Sequence, residues 1–148
     1  MSVRIVRATD DDPIALAEVC ALLEAAGLPV DGVAQHFSRF LLALNDRKLC
    51  GCAGVEIHGD VALLRSLAVA PAQQKTGLGR QLTESILKLA GESGADEIVL
   101  LTTTARDFFV NKFGFDEAKR EDYQERLRHS PEWNLPRCAS AIFLRRNL

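Results

Sequence analysis

Residues 64–80 read Leu64-Arg-Ser-Leu-Ala-Val-Ala-Pro-Ala-Gln-Gln-Lys-Thr-Gly-Leu-Gly-Arg80. An apolar strand-like run ends at Pro71, passes through a turn with two glycines, and opens into a helix. The apolar residues Leu78, Leu82, Ile86, Leu89 and Ala90 recur at helical spacing across Gly77 to Glu92. Such a turn leaves backbone N–H groups pointing outward at a helix N-terminus, where the helix dipole adds positive potential. An anion such as a pyrophosphate fits there. Gly77 and Gly79 allow the backbone to approach a ligand closely, while Lys75 and Arg80 add charge-assisted contacts. A Walker A loop ends in Gly-Lys-Ser/Thr, whereas here Lys75-Thr76 precede the glycine. A Rossmann fingerprint needs a small residue where Leu82 stands. An ordinary two-glycine turn without a ligand is the other reading that spacing allows.

Upstream, Val3 to Arg7 alternates as a short strand, and Asp12-Pro13 opens a helix that Gly27 ends. A second helix is predicted to begin near Asp31. Phe40 to Leu44, Lys48 to Ile57 and Val61 to Val69 form an antiparallel meander joined by turns at Asn45-Asp46 and His58-Gly59-Asp60. Downstream, Ile98-Val99-Leu100-Leu101 reads as a parallel strand buried on both faces, completing a right-handed βαβ crossover. Thr104 to Asp107 resembles a capping box for a short helix stopped by Gly114, and Ala139 to Leu144 is the last strand. With no repeat or linker, residues 1–148 are expected to form one domain of α+β type.

Eighteen Lys and Arg against 20 Asp and Glu give a net charge of -2, which argues against nucleic acid as the main partner. The apolar fraction of 47% suffices for a core. No apolar run is long enough to span a bilayer, and three aspartates interrupt the N-terminus before a signal peptide could form, so no membrane partner and a cytoplasmic location are expected. Cys20, Cys50, Cys52 and Cys138 lack zinc-ligand spacing, and no metal is expected. Cys50 and Cys52 are predicted on one face of a strand, as small buried hydrophobes.

Gln74-x-x-Gly77-x-Gly79, preceded by Leu67-Ala68-Val69-x-Pro71, resembles the acetyl-CoA-binding signature of the GNAT N-acetyltransferases. Ala105-Arg-Asp-Phe-Phe109-Val-Asn-Lys-Phe-Gly114-Phe115 is similar to a second segment of that superfamily. The resemblance implies a GNAT fold, with a mixed, mostly antiparallel sheet, a βαβ crossover and flanking helices. It implies acetyl-CoA as cosubstrate, with its pantetheine arm in a cleft between diverging strands. Backbone groups of Leu67, Ala68 and Val69 would line the arm. Amides of Gln74, Lys75, Thr76, Gly77, Leu78, Gly79 and Arg80 would hold the pyrophosphate, with Phe108, Phe109 and Lys112 on the facing helix. A homodimer is the assembly many such enzymes adopt.

Many GNAT enzymes carry a tyrosine where this chain has Phe109, so the usual proton donor to the leaving thiolate is missing. A coenzyme thiol as acidic as free cysteine, with a pKa of about 8.5, can leave without an acid. Positioning of the amine then supplies much of the rate. Ser66, Tyr123 and a bound water are the alternative donors. Glu56 is the candidate general base, with His58 beside it, and Arg65 is the candidate ligand for a substrate carboxylate. Each has a plainer reading as a surface strand or turn residue. A non-catalytic acyl-CoA sensor is the alternative that Phe109 suggests.

Asp60 to Pro71, Leu101-Thr-Thr-Thr-Ala105, Phe108-Phe109 and Cys138-Ala-Ser-Ala141 resemble a GNAT branch associated with arsenic-resistance operons, although that branch has Cys-Pro where Cys138-Ala139 stands. This narrower resemblance implies a small amine acceptor, an amino acid-like compound or amine toxin. The polar segment from Arg120 to Leu135, with Tyr123, His129 and Trp133, either covers the acceptor site or uses Trp133 to plug the core.

Overall fold

Strand-period and helix-period stretches alternate along the chain, and each change of period becomes a boundary in the fold. The computed structural model describes residues 3–148, apart from the side chain of Arg137. The elements are β1 (Val3–Arg7), α1 (Pro13–Ala25), β2 (Phe40–Asn45), β3 (Lys48–His58), β4 (Val61–Val69), α2 (Leu78–Glu92), β5 (Glu97–Thr102), α3 (Arg106–Phe113), β6 (Asp116–Glu117) and β7 (Ile142–Asn147). They build a seven-stranded sheet in the order β1-β2-β3-β4-β5-β7-β6. Every pairing is antiparallel except β4 with β5, which α2 joins as the predicted crossover.

Local chemistry sets the ends of the elements. Asp12 Oδ1 accepts from the Ala15 amide at 3.0 Å with Pro13 in the first turn, so α1 starts where its cap predicts. Gly27 follows with φ +72°, a conformation that favours glycine. The predicted second helix near Asp31 does not form. Gly32 takes φ +79° and breaks the helical dihedrals, leaving turns and one 3-10 turn at Phe37–Arg39. The Thr104 capping box is also replaced: Thr102 Oγ1 accepts from the Ala105 amide at 2.9 Å, and Ala105 is the cap residue. The last strand begins later than predicted and runs past Leu144 to Asn147, because Pro136–Cys138 turns as a 3-10 helix first. The two-residue β6 beside β7 was not anticipated.

Two irregularities shift the alternation of side chains. In β3 the register against β2 jumps from Leu44–Leu49 to Ala43–Gly51, so Cys50 is an extra residue. Cys50 and Cys52 therefore face opposite layers instead of one face, Cys50 toward α2 and Cys52 toward α1. Burial pushes the Cys52 thiol up to about 12. In β4 the register against β3 passes from Gly54–Arg65 to Cys52–Ala68, so Ser66 and Leu67 oppose Ala53 alone. Ser66 sits at φ +61°.

Three apolar clusters cover the sheet. On one face Leu78, Leu82, Ile86 and Leu89 of α2 pack with Phe109 of α3 against Val55, Ala62 and Leu64. On the other, Val19 and Leu23 of α1 cover Phe40 and Cys52, while Trp133, Tyr123 and Leu127 cover Val61, Leu63 and Phe143. Trp133 is thus a core plug, its Nε1–H donating to Gln124 Oε1 at 2.6 Å.

Gly54 stands against the Phe40 ring, where an added Cβ would lie 2.4 Å from Cε1 and Cζ. Gly54→Ala is predicted to cost about 1–3 kcal/mol by overpacking. Gly91→Ala, near the end of α2 with nothing within 4 Å of its added Cβ, should be neutral or stabilise by up to about 1 kcal/mol. Urea unfolding checks both; equal midpoints for the two variants would contradict the packing described.

Candidate active site

The parallel pairing of β4 with β5 runs from Val61–Glu97 to Leu64–Leu100 and stops. Beyond it β4 stays paired to β3 as far as Val69–Gly51, and β5 stays paired to β7 as far as Thr102–Ile142. Two facing strand edges are therefore left without each other from Arg65 onward, where the Ser66 bulge begins. A bulge bends the strand that carries it, which accounts for the divergence.

A cleft of about 250 Å³ occupies the mouth of this gap. Leu64, Arg65, Ser66 and Leu67 form one wall and Leu100 to Ala105 the other, with Phe109, Glu132, Cys138 and the Gly27–Pro29 turn around the rim. Further along β4, a second hollow of about 390 Å³ is lined by Val69, Gln73, Gln74, Lys75, Gly77, Gly79, Arg80, Phe108 and Lys112. The strand edge of β4 and the face of α3 lead from one hollow to the other.

The second hollow has the anion-binding features expected from the sequence. Lys75 takes φ +66° and Gly77 φ +88°, so the chain turns sharply into α2. The first helical bond joins the Gln81 amide to Gly77 O at 3.1 Å, leaving the amides of Leu78, Gly79 and Arg80 ahead of it without helical acceptors. A Cβ added to Gly79 would meet only Val69 Cγ2 at 3.9 Å, so the space over this residue is open. Lys75, Arg80 and Lys112 ring the hollow with positive charge. Three of the expected contacts, Ala68, Thr76 and Leu78, do not line this hollow: the side chains of Ala68 and Leu78 are buried in the core, and the Thr76 hydroxyl donates to Gln73 O at 2.5 Å.

The residues expected to do chemistry lie differently from one another. Ser66 lines the first cleft, and its Oγ accepts from Arg65 Nε at 3.0 Å. Glu56 has no exposed surface: Arg65 Nη1 donates to its Oε2 at 2.7 Å, and His58 Nε2 lies 2.8 Å from Oε1. Burial pushes its carboxyl up, but hydrogen bonds with His58, Ser130 and Arg65, together with the Arg65 charge, outweigh this and hold it below the usual carboxylate range. Arg65 also donates to Pro29 O at 3.3 Å, and its side chain is fully buried. Burial pushes the neighbouring His36 imidazole down. Tyr123, an alternative proton donor, is remote: its hydroxyl donates to Glu97 Oε2 at 2.7 Å, at the opposite end of β5 from Thr102. Phe109 is buried against Phe108, Phe113 and Phe115 and presents only carbon to the cleft.

Glu132, Thr103 and Thr104 also line the first cleft, and sequence reasoning named none of them as a site residue, reading Thr104 as a helix cap instead. The usable signal for Glu132 was its place beside the lone tryptophan, since a core plug fixes its neighbours in space. Among the described residues no group of three or more His, Cys, Asp or Glu could hold a metal, and no helix is long and apolar enough to cross a membrane.

Comparison with known proteins agrees with this geometry. The family described as Acetyltransferase (GNAT) domain matches residues 36–117. An uncharacterized N-acetyltransferase of Chlorobaculum tepidum is 26% identical over 99 residues, 66% of this chain and 63% of that protein. Among solved structures, N-acetylglutamate synthase from Neisseria gonorrhoeae, complexed with coenzyme A and N-acetyl-glutamate, superposes with a TM-score of 0.77 at 24% identity. It covers all of this chain, which spans 35% of that longer protein. Rv2747 from Mycobacterium tuberculosis, in a complex containing coenzyme A, gives a TM-score of 0.76 at 18% identity over 98% of this chain and 99% of its own. The shared architecture is a mixed α+β sheet with flanking helices.

Two predictions test the site. Gly79→Leu should fold normally and weaken coenzyme A binding at least about 100-fold, read by calorimetry, because the side chain fills the hollow and blocks close approach to the helix amides. Unchanged affinity would contradict the placement of the anion. Glu56→Ala leaves Arg65 buried without its carboxylate and should cost about 3–5 kcal/mol at pH 7. The Glu56 carboxyl titrates lower when folded, so its stabilisation is present above its ordinary value of 4.5 and is lost as pH falls through the folded value. Urea unfolding of wild type and variant should therefore converge from pH 5 toward pH 3; a constant difference would contradict the buried pair.

Proposed function

Because the chain belongs to the GNAT acetyltransferase family, we propose that it moves an acetyl group from acetyl-CoA directly to the primary amine of a small, amino acid-like molecule. One observation carries this reading: a gap between two unzipped strand edges that leads onto a basic loop of outward-facing amides. The coenzyme supplies a thioester whose carbonyl carbon is open to attack by an amine. Everything else is the work of side chains and backbone.

The free edge of β4 at Leu67 and Val69 offers peptide groups to an amide-bearing arm, replacing the β5 ladder. The amides from Gln74 to Gly79 and the cations Lys75, Arg80 and Lys112 hold the phosphates. Phe108 and Phe109 give the facing wall an apolar surface. Ser66, held by Arg65, keeps its own O–H to donate toward the sulfur as it leaves. We assign Glu56 and Arg65 to positioning instead of to the base and the carboxylate ligand, because each is occupied by the other. N-acetylglutamate bound to the Neisseria enzyme supports an amino acid as acceptor class. Linkage to arsenic resistance is the narrower form of the reading and rests on the sequence resemblance. So do a single catalytic domain over residues 1–148, a cytoplasmic setting and a homodimer.

A second reading, an acyl-CoA-binding module without turnover, is favoured by Phe109 alone. Incubation with acetyl-CoA and the twenty protein amino acids should release coenzyme thiol for at least one of them. Binding without release for all would favour the module. Phe109→Tyr should change kcat by less than about tenfold, since Ser66 already offers its hydroxyl to the leaving sulfur and a thiol this acidic needs no further donor. A rise of 10²- to 10⁴-fold, the usual contribution of a general acid, would show that the missing hydroxyl limits the rate.

A further inference from the structure

We propose that Leu28 and Leu101 select an acceptor amino acid whose side chain is apolar, of the leucine or methionine kind. This rests on the transfer reading above and adds to it the class of side chain that the acceptor carries.

The cleft is lined from both layers that cover the sheet. Leu64, Leu67 and Phe109 belong to the apolar cluster of α2 and α3, on the side of the basic hollow. Leu28 belongs to the cluster of α1, and Leu101 to the cluster of Trp133 and Phe143, both on the opposite face. The gap between β4 and β5 therefore joins two apolar patches through the sheet. A thioester that arrives from the basic hollow meets the first patch, which leaves Leu28, Pro29 and Leu101 to the acceptor.

Charge points the same way. Arg65 and Glu132 are the charged side chains among the described residues that line the cleft, and both are already engaged. Arg65 donates from Nη1 to Glu56 Oε2 at 2.7 Å, from Nη2 to Pro29 O at 3.3 Å and from Nε to Ser66 Oγ at 3.0 Å. All three nitrogens of its guanidinium are thus committed. A charged substrate side chain would lose its water here with no uncommitted counter-ion among these residues. An apolar one gains burial, and each methylene removed from water is worth about fourfold in an equilibrium constant. An apolar cavity of about 150 Å³ already admits a benzene-sized group, so a cleft of about 250 Å³ has room for a branched side chain beside an acetyl group. The hydroxyls of the cleft, on Ser66 and on Thr102 to Thr104, are left for the amino and carboxylate groups of the acceptor.

The second patch is fixed before any substrate arrives. Gly27, at φ +72°, turns the chain out of α1, and the Leu28 amide donates to Leu23 O at 2.9 Å. Arg65 holds the carbonyl of the next residue, Pro29, which is itself buried. Leu101 is paired with Phe143 in the β5–β7 ladder. Leu28 and Leu101 are only half-buried, so each keeps apolar surface for a ligand to cover. A wall that binding does not have to order discriminates well between side chains.

The test measures kcat/KM for each of the twenty amino acids with the full chain at saturating acetyl-CoA, read as thiol release. Leucine and methionine should exceed alanine by at least about tenfold. They should exceed glutamate and lysine by at least about 100-fold. Glutamate or lysine equal to or above leucine overturns the proposal and leaves the transfer reading standing. Release of thiol with no amino acid overturns the transfer reading itself, and the proposal falls with it. Leu28→Ala then tests the wall: the preference for leucine over alanine should drop below about threefold. A merely structural role would lower kcat/KM for both acceptors alike, so a preserved preference overturns the assignment of Leu28. If calorimetry shows that this variant no longer binds coenzyme A, as a misfolded protein would not, Leu101→Ala is read by the same ratio with the same two outcomes.

Discussion

The β4–β5 pairing stops after four residue pairs, at Leu64–Leu100, and the rest of the site follows from that break. Backbone N–H and C=O groups in a sheet interior need partners, and a parallel sheet ordinarily supplies them all. One extra residue at Ser66 bends β4 away and leaves the edges of Leu67, Val69 and Thr102 facing a gap. Such a gap suits a ligand that carries its own peptide-like groups. The bulge also resets the alternation of side chains, so that Leu67 and Val69 join the layer of α2 while Arg65 and Ala68 face the other side. One residue therefore opens the cleft and also puts a guanidinium behind its wall.

On that other side, the layer under Arg65 is built around charge. Arg65 joins β3, the Pro29 turn and Ser66, and through Glu56 it reaches His58. A buried pair of this kind is weak support for net stability and strong support for one arrangement, since loss of either partner strands the other. The turn from Gly27 to Gly32 and the segment from Ser130 to Trp133 close over it, and Gly27, Leu28, Pro29 and Glu132 from them line the cleft. At the far end of β5, Glu97 accepts from Tyr123, Arg126 and Arg145 and ties the same segment to the sheet.

Most of the architecture was legible because it depends on periodicity and punctuation. Asp12-Pro13, the Asn45-Asp46 turn and the switch from strand to helix after Pro71 all lie where the sequence places them. The sharp turn into α2 at Gly77 and the open space over Gly79 were legible for the same reason, although spacing by itself also allows an ordinary turn without a ligand. Features that depend on an inserted residue or a distant contact were not. A bulge at Cys50 reverses the faces of two cysteines, yet nothing local in Leu49-Cys50-Gly51 announces it. Gly32 stops a helix whose other residues permit one. Glu56 looks like a free strand carboxylate until Arg65, nine residues away, is folded against it. Glu132 is one acidic residue in a polar segment, and only the depth of Trp133 puts it at the cleft.

The account depends on the unzipped edges being a binding surface, which a crystal structure of the protein with acetyl-CoA tests most directly. It predicts the pantetheine arm lying between β4 and β5 and hydrogen-bonded to Leu67 and Val69, with the pyrophosphate on the amides between Lys75 and Arg80. Coenzyme bound elsewhere, with that gap filled by side chains or closed by strand pairing, would contradict it.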